Sequence, residues 1–140
     1  MIFSTKTDIE QRIPAQILAQ ITGGDDTRIS TAETQAIGMI TDLLSGNYDT
    51  TAEFAKTDTD RHASLLMWTV SLTCYYLYAH IADTQTPDRI VKDYDDTLKS
   101  LSNIALGKLP TTLAPLLNEN GTTKRVVRFG FNQTRNHELL

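Results

Sequence analysis

Between Ala63 and Ala82 the chain runs without a single Asp, Glu, Lys or Arg. A stretch of about 20 residues can cross a bilayer. It can equally form a helix covered on nearly every side by the rest of a helical domain. Ser64, Thr69, Ser71, Thr73 and His80 place polar groups along its whole length. Tyr75, Tyr76 and Tyr78 crowd off-centre instead of forming two interfacial belts. The buried helix is therefore the preferred reading, and no membrane association is expected. At 100° per residue His62, Thr69, Thr73 and His80 fall within about 40° of one another, leaving one narrow polar seam. Asp58 or Asp60 is the expected cap at its start.

The next segment predicts a second long helix, entered by Thr86 as cap, Pro87 at the first helical position and Asp88 at the positive end of the helix dipole. Ile90, Val91, Tyr94, Leu98, Leu101 and Ala105 form its inward face, and Gly107 ends it. Asp88–Lys92 and Asp95–Lys99 have the spacing of supporting i,i+4 ion pairs. So short a connection between two long helices predicts an antiparallel hairpin.

Upstream, Thr5 or Thr7 can cap a short helix reaching Ile13, and Pro14 opens a second one that stops at Gly23-Gly24. Ser30 and Glu33 have the S-x-x-E spacing of a capping box. The helix they open carries Ala36, Ile37, Ile40, Leu43 and Leu44 on one stripe and ends near Gly46. Residues 47–60 predict a loop or broken helix anchored by Tyr48 and Phe54. With 140 residues the chain has room for one core, and 40% apolar against 21% charged residues excludes wholesale disorder. The expected fold class is all-α: a small helical bundle with a central antiparallel long-helix hairpin over residues 1–109, and an extended C-terminal arm over 110–140.

Chemistry is sparse. Gly23-Gly24 lacks the phosphate-loop frame, and Asp25, Asp26 and Glu33 lack the alternating ligands of a calcium loop. One cysteine, Cys74, excludes an intramolecular disulfide and a cysteine-rich zinc site, suggests no oxidising compartment, and reads as a core residue. Asp93, Asp95 and Asp96 read as a solvated face. The first dozen residues show no secretory-signal pattern. His62, His80 and Asp83 support an alternative, a small helical metal-binding protein or enzyme, but no second pair of ligands matches their spacing. No enzyme and no cofactor are expected.

Beyond Leu109 the character changes. Pro110 and Pro115 break helices, Asn120-Gly121 signals a turn, and Arg125 to Phe131 alternates like a strand with Val127, Phe129 and Phe131 on one side. Residues 1–117 hold nine basic and fifteen acidic side chains, whereas 118–140 hold four and two. A basic, aromatic segment thus follows an acidic body. It is either a weakly docked terminus or a docking arm, in which backbone pairs with another chain's sheet edge. The arm is preferred, with Arg125, Arg128, Phe129, Phe131 and Arg135 as partner-binding residues, since Arg and aromatic side chains dominate interface energies. A nucleic-acid-binding regulatory module using the same basic tail is a further alternative.

Four stretches carry a resemblance: FSTKTDIEQRIPAQILAQIT, AIGMITDLLSGNY, the long helix from Arg61 with PDRIVKDYDDTLKSLSNIALGKL after it, and RFGFNQTRNHEL. Together they resemble the head–tail connector (adaptor, head-completion) proteins of tailed bacteriophages, in the Mu-like prophage branch. The resemblance implies a structural virion protein at the head–tail interface, assembled in the bacterial host cytoplasm. It implies a homo-oligomeric ring, twelvefold, between the portal protein and a tail or stopper protein, with genomic DNA passing through unread. A rotational ring uses a heterologous interface, and an acidic body would not retard DNA phosphates in a channel.

Overall fold

The computed structural model describes residues 1–81 and 85–123, and among them the chain is a small bundle of six α-helices and one 3₁₀ turn. The first, α1 (Lys6–Glu10), is set by a capping box that the T-x-x-D spacing encodes. The Thr5 hydroxyl accepts from the Asp8 N–H at 3.2 Å, and the Asp8 carboxylate accepts from the Thr5 N–H at 2.8 Å. α2 (Ala15–Thr22) follows Pro14 and ends where Gly23 turns left-handed (φ 64°), the Gly24 N–H reaching back to the Ala19 carbonyl.

α3 (Thr27–Leu44) begins earlier than the Ser30–Glu33 spacing predicts. Asp25 accepts from both the Thr27 N–H (2.9 Å) and the Thr27 hydroxyl (2.6 Å), so the turn is closed before Ser30 is reached. Glu33 is thereby freed from capping and lies wholly inside the protein.

α4 (Thr50–Phe54) is capped by Asp49, whose side chain accepts from the Ala52 N–H. Residues Asp58–Asp60 form the 3₁₀ turn instead of capping the long helix. That helix, α5 (Ala63–Ala79), is capped by His62, with Nδ1 accepting from the Leu65 N–H. Arg61 enforces the extended entry: it donates to the Asp58 and Phe3 carbonyls and pairs with Asp8 at 2.9 Å. The middle of the expected polar seam is sealed from water, while His62 is half-buried and His80 exposed at its two ends. Thr69 and Thr73 are fully buried, their hydroxyls donating to the Leu65 and Thr69 carbonyls at 2.8 and 2.7 Å, so neither leaves an unpaired group.

α6 (Asp88–Ala105) starts one residue later than predicted: Pro87 holds the cap position without a side-chain bond, and its carbonyl accepts from Ile90 and Val91. The predicted Asp88–Lys92 and Asp95–Lys99 pairs are not formed. Lys92 pairs with Asp96 instead (2.7 Å), and Asp93 is taken by Arg12. Gly107 (φ 75°) ends the helix, with Gly107 N–H to the Ile104 carbonyl and Lys108 N–H to the Asn103 carbonyl. An L side chain is strained there, so Gly107→Ala should cost about 1 kcal/mol, measurable as a lower midpoint in urea at unchanged slope.

The core comprises two apolar clusters strung along α5. One joins Ala36, Ile40 and Leu44 of α3 with Leu65, Trp68 and Leu72 of α5 and Leu101 and Ile104 of α6. The other joins Ile29 and Ala32 of α3 with Val70, Cys74 and Leu77 of α5, Ile90 of α6, Ile9 of α1, Leu18 of α2, and Ile13, which lies between α1 and α2 because α1 ends at Glu10, short of the expected Ile13. The late half of each outer helix meets the early half of α5, so α5 runs antiparallel to both. Its most extensive packing is against α3 rather than its hairpin partner α6, because Ala32 and Ala36 let the two backbones approach. Among the described residues no helix is long and apolar enough to cross a membrane.

Candidate functional site

The part of the described chain that precedes the expected partner-binding residues is the strap after α6, residues 110–117. Between Pro110 and Pro115 no helix can form, so the strap lies extended across α4 and the start of α5. Leu113 anchors it in the first core cluster, 4% exposed. Thr112 meets His62 Nε2 at 2.7 Å. The Ala114 N–H donates to Glu53 Oε1 at 3.0 Å, its carbonyl accepts from the Asp49 N–H at 2.9 Å, and the Leu116 N–H donates to the Asn47 carbonyl at 2.9 Å. Pro115 sits opposite Tyr48 in an isolated antiparallel bridge.

The seat under the strap is polar and buried. Glu53 is 2% exposed, and its Oε1 also accepts from Lys56 at 3.0 Å. Burial opposes ionisation of Glu53. The Ala114 N–H, the Lys56 hydrogen bond and charge, and the charge of His62 outweigh it and hold its carboxyl below the ordinary value of 4.5. Asp8 behaves alike: desolvation opposes its ionisation, while bonds from Thr5 and Arg61 and the Arg61 charge together prevail. A carboxylate whose folded pKa is depressed stabilises the fold above its unfolded pKa, and that stability is lost as pH falls through the folded value. The melting temperature should therefore fall from about pH 5 downward, and Glu53→Gln should flatten part of that decline in thermal melts recorded across the range. A decline unchanged by Glu53→Gln would show that Glu53 does not titrate differently on folding.

After the strap comes a tight turn. Asn118 Oδ1 accepts from the Asn120 N–H, the Thr122 N–H and the Thr122 hydroxyl, and Gly121 takes the left-handed conformation (φ 75°). The Asn118 N–H donates to the Thr122 carbonyl at 2.8 Å, and Leu117 pairs antiparallel with Thr123. Asn47 Nδ2 reaches the Ala105 carbonyl at 3.2 Å while the Asn47 carbonyl holds Leu116. Asn47 thus ties the end of α6 to the strap, and Leu106, Leu109 and Leu117 are exposed.

The partner-binding residues expected from the sequence, Arg125, Arg128, Phe129, Phe131 and Arg135, lie outside the described residues. Of the alternative metal set, Asp83 also lies outside. His62 and His80 sit at opposite ends of α5, about 27 Å apart at 1.5 Å rise per residue. His62 bonds Thr112 and His80 bonds Gln35 Oε1 (3.1 Å), so the two histidines cannot share one ion. Among the described residues no group of three or more His, Cys, Asp or Glu side chains could hold a metal. Burial pushes the Cys74 thiol up to about 12, which makes it a core residue in chemistry as well as position.

Two structural carboxylates escape a reading by spacing alone. Glu33 and Glu53 are both buried, and each holds a non-helical segment by its backbone amides. A signal for Glu33 exists: it falls on the same stripe as Ile29, Ala36 and Ile40, an acid where a helix wants an apolar residue. A protein-family model described as Bacteriophage Mu, Gp36 matches residues 3–128, which takes in the described helices and the strap. Neither the curated proteins nor the solved structures contain a match.

Proposed function

The chain belongs to the bacteriophage Mu Gp36 family, and on that premise we propose that it is a structural virion protein of a tailed phage or prophage, an adaptor between portal and tail. The observation that carries this reading is the extent of the family match, which spans both the bundle and the root of the arm. In this reading copies form a closed ring by a heterologous interface, in which one surface fits a different surface of the next copy. The helical body supplies the rigid wall. The arm, through Arg125, Arg128, Phe129, Phe131 and Arg135, grips the portal or a tail-side protein. Leu106, Leu109 and Leu117, exposed between the end of α6 and the end of the strap, offer apolar area for such a contact.

The charge distribution supports the same reading. The excess of acidic groups over residues 1–117 disfavours retention of DNA phosphates on the ring wall, while the basic arm suits an acidic protein surface. The test is disruption of the gene in an inducible phage, followed by electron microscopy of the lysate. DNA-filled heads and complete tails that fail to join are the expected products. Normal, infectious virions would contradict the proposal.

A further inference from the structure

The strap is held by a seat built from residues 47–62 and not by the helix it leaves. The Asn47 carbonyl accepts from the Leu116 N–H, the Asp49 N–H donates to the Ala114 carbonyl, and Glu53 Oε1 accepts from the Ala114 N–H. His62 Nε2 meets the Thr112 hydroxyl, and Leu113 is buried in the first core cluster. The body thus binds residues 112–116 as a protein binds a separate extended peptide, with main-chain hydrogen bonds along it and one apolar side chain as anchor. The connection to α6 is different. Residues 106–110 are all exposed. The N–H groups of residues 106–109 bond back to the Ser102, Asn103 and Ile104 carbonyls of α6, and among the described residues no hydrogen bond ties this connection to the seat. A few exposed residues between two docked elements can absorb a change of direction, and a short connection of this kind favours exchange of the element between copies.

We propose that in the assembled ring the straps are exchanged: residues 110–117 of each copy leave their own seat and fill the seat of the next copy. The inference rests on the connector reading and adds what joins one copy to its neighbour. The occupant follows from the seat itself, which is matched to residues 112–116, and every other copy carries that same segment. Exchange keeps each strap contact, since every copy gives one strap and receives one, and a closed head-to-tail ring leaves no seat empty. A neighbouring body beside the connection also covers part of the apolar area that Leu106 and Leu109 expose. The reach is limited. Five extended residues span at most about 17 Å, so the end of α6 on one copy must lie against α4 and the start of α5 on the next. Those are two different surfaces, as a heterologous interface requires.

Disulfide trapping in the full-length chain tests this. Tyr48 and Pro115 face each other in an antiparallel bridge, a placement that a disulfide can span, and the native Cys74 is buried. Particles assembled from a mixture of Tyr48→Cys copies and Pro115→Cys copies, treated with oxidised glutathione, should yield disulfide-linked pairs holding one copy of each kind. The double variant Tyr48→Cys/Pro115→Cys is the control. As the dilute isolated chain it should close within itself, and in particles it should link copies into a ladder. Closure within single chains in particles, with no linked pairs from the mixed copies, overturns the inference and leaves the connector reading intact. If Tyr48→Cys does not fold, Lys56→Cys copies mixed with Ala114→Cys copies and bridged by a short bis-maleimide give the same readout, because Lys56 Nζ and the Ala114 N–H meet on Glu53 Oε1 at 3.0 Å each. Absence of the chain from particles is a separate result, which defeats the connector reading itself and the inference that rests on it.

Discussion

Replacing Glu33 with alanine should lower the melting temperature by roughly 10–15 °C, a loss on the order of 3–5 kcal/mol. The carboxylate is fully buried and acts only as an acceptor: Ile2, Phe3 and Ser4 donate their backbone N–H groups to it, and Ser4 adds its hydroxyl at 2.6 Å. Deleting it strands the Phe3 and Ser4 amides in the interior, each costing about 1–3 kcal/mol. It also loosens Phe3, which packs edge-on to Phe54 at 5.0 Å in the first core cluster. Glu33→Gln should fall between, since the amide keeps one acceptor oxygen but turns N–H groups toward donors. The exposed Asp42→Ala, on the same helix, should stay within about 0.5 kcal/mol of the parent. Phe3→Ala combined with Glu33→Ala should cost less than the sum, because both act on one segment. A shift of only a degree or two for Glu33→Ala would mean that residues 2–4 contribute little to the fold.

Truncation after Leu117 should separate folding from assembly. The last strap contact, Leu116 to Asn47, and the Leu113 anchor both remain, so the melting temperature should change by no more than about 2–3 °C. Incorporation into particles should nevertheless fall at least tenfold, because every Arg and aromatic side chain of the arm is gone. Truncation after Leu109 should behave differently. It removes buried Leu113, costing about 2–4 kcal/mol, and it takes from Glu53 its Ala114 donor. A body that melts normally after the shorter truncation and still enters particles at parental levels would remove the arm from the account.

The large features of the fold are legible in the residues because each has a local cause. The charge-free α5, the amphipathic α6 and the glycine stops at Gly23 and Gly107 follow from periodicity and backbone preference. Helix starts are less legible, since several polar residues compete for each. Asp25 displaces Ser30, and His62 displaces Asp58 and Asp60, through contacts with neighbours that a motif does not contain. Ion pairs slip for the same reason: Arg12 lies far from Asp93 in sequence and claims it in space. The strap is the least legible element. Its hydrogen bonds join residues 47–53 to 114–116, pairings fixed by tertiary packing alone. The candidate arm is legible only as composition and alternation in residues 124–135, which state what it can grip and not what it meets.

The most direct measurement is a reconstruction of the intact phage vertex, read for where this chain sits. The account predicts a closed ring of helical bundles between portal and tail, each copy with α5 enclosed between α3 and α6 and its arm added to a neighbouring protein. A vertex whose density leaves no place for this bundle, in particles that are joined and infectious, would contradict it.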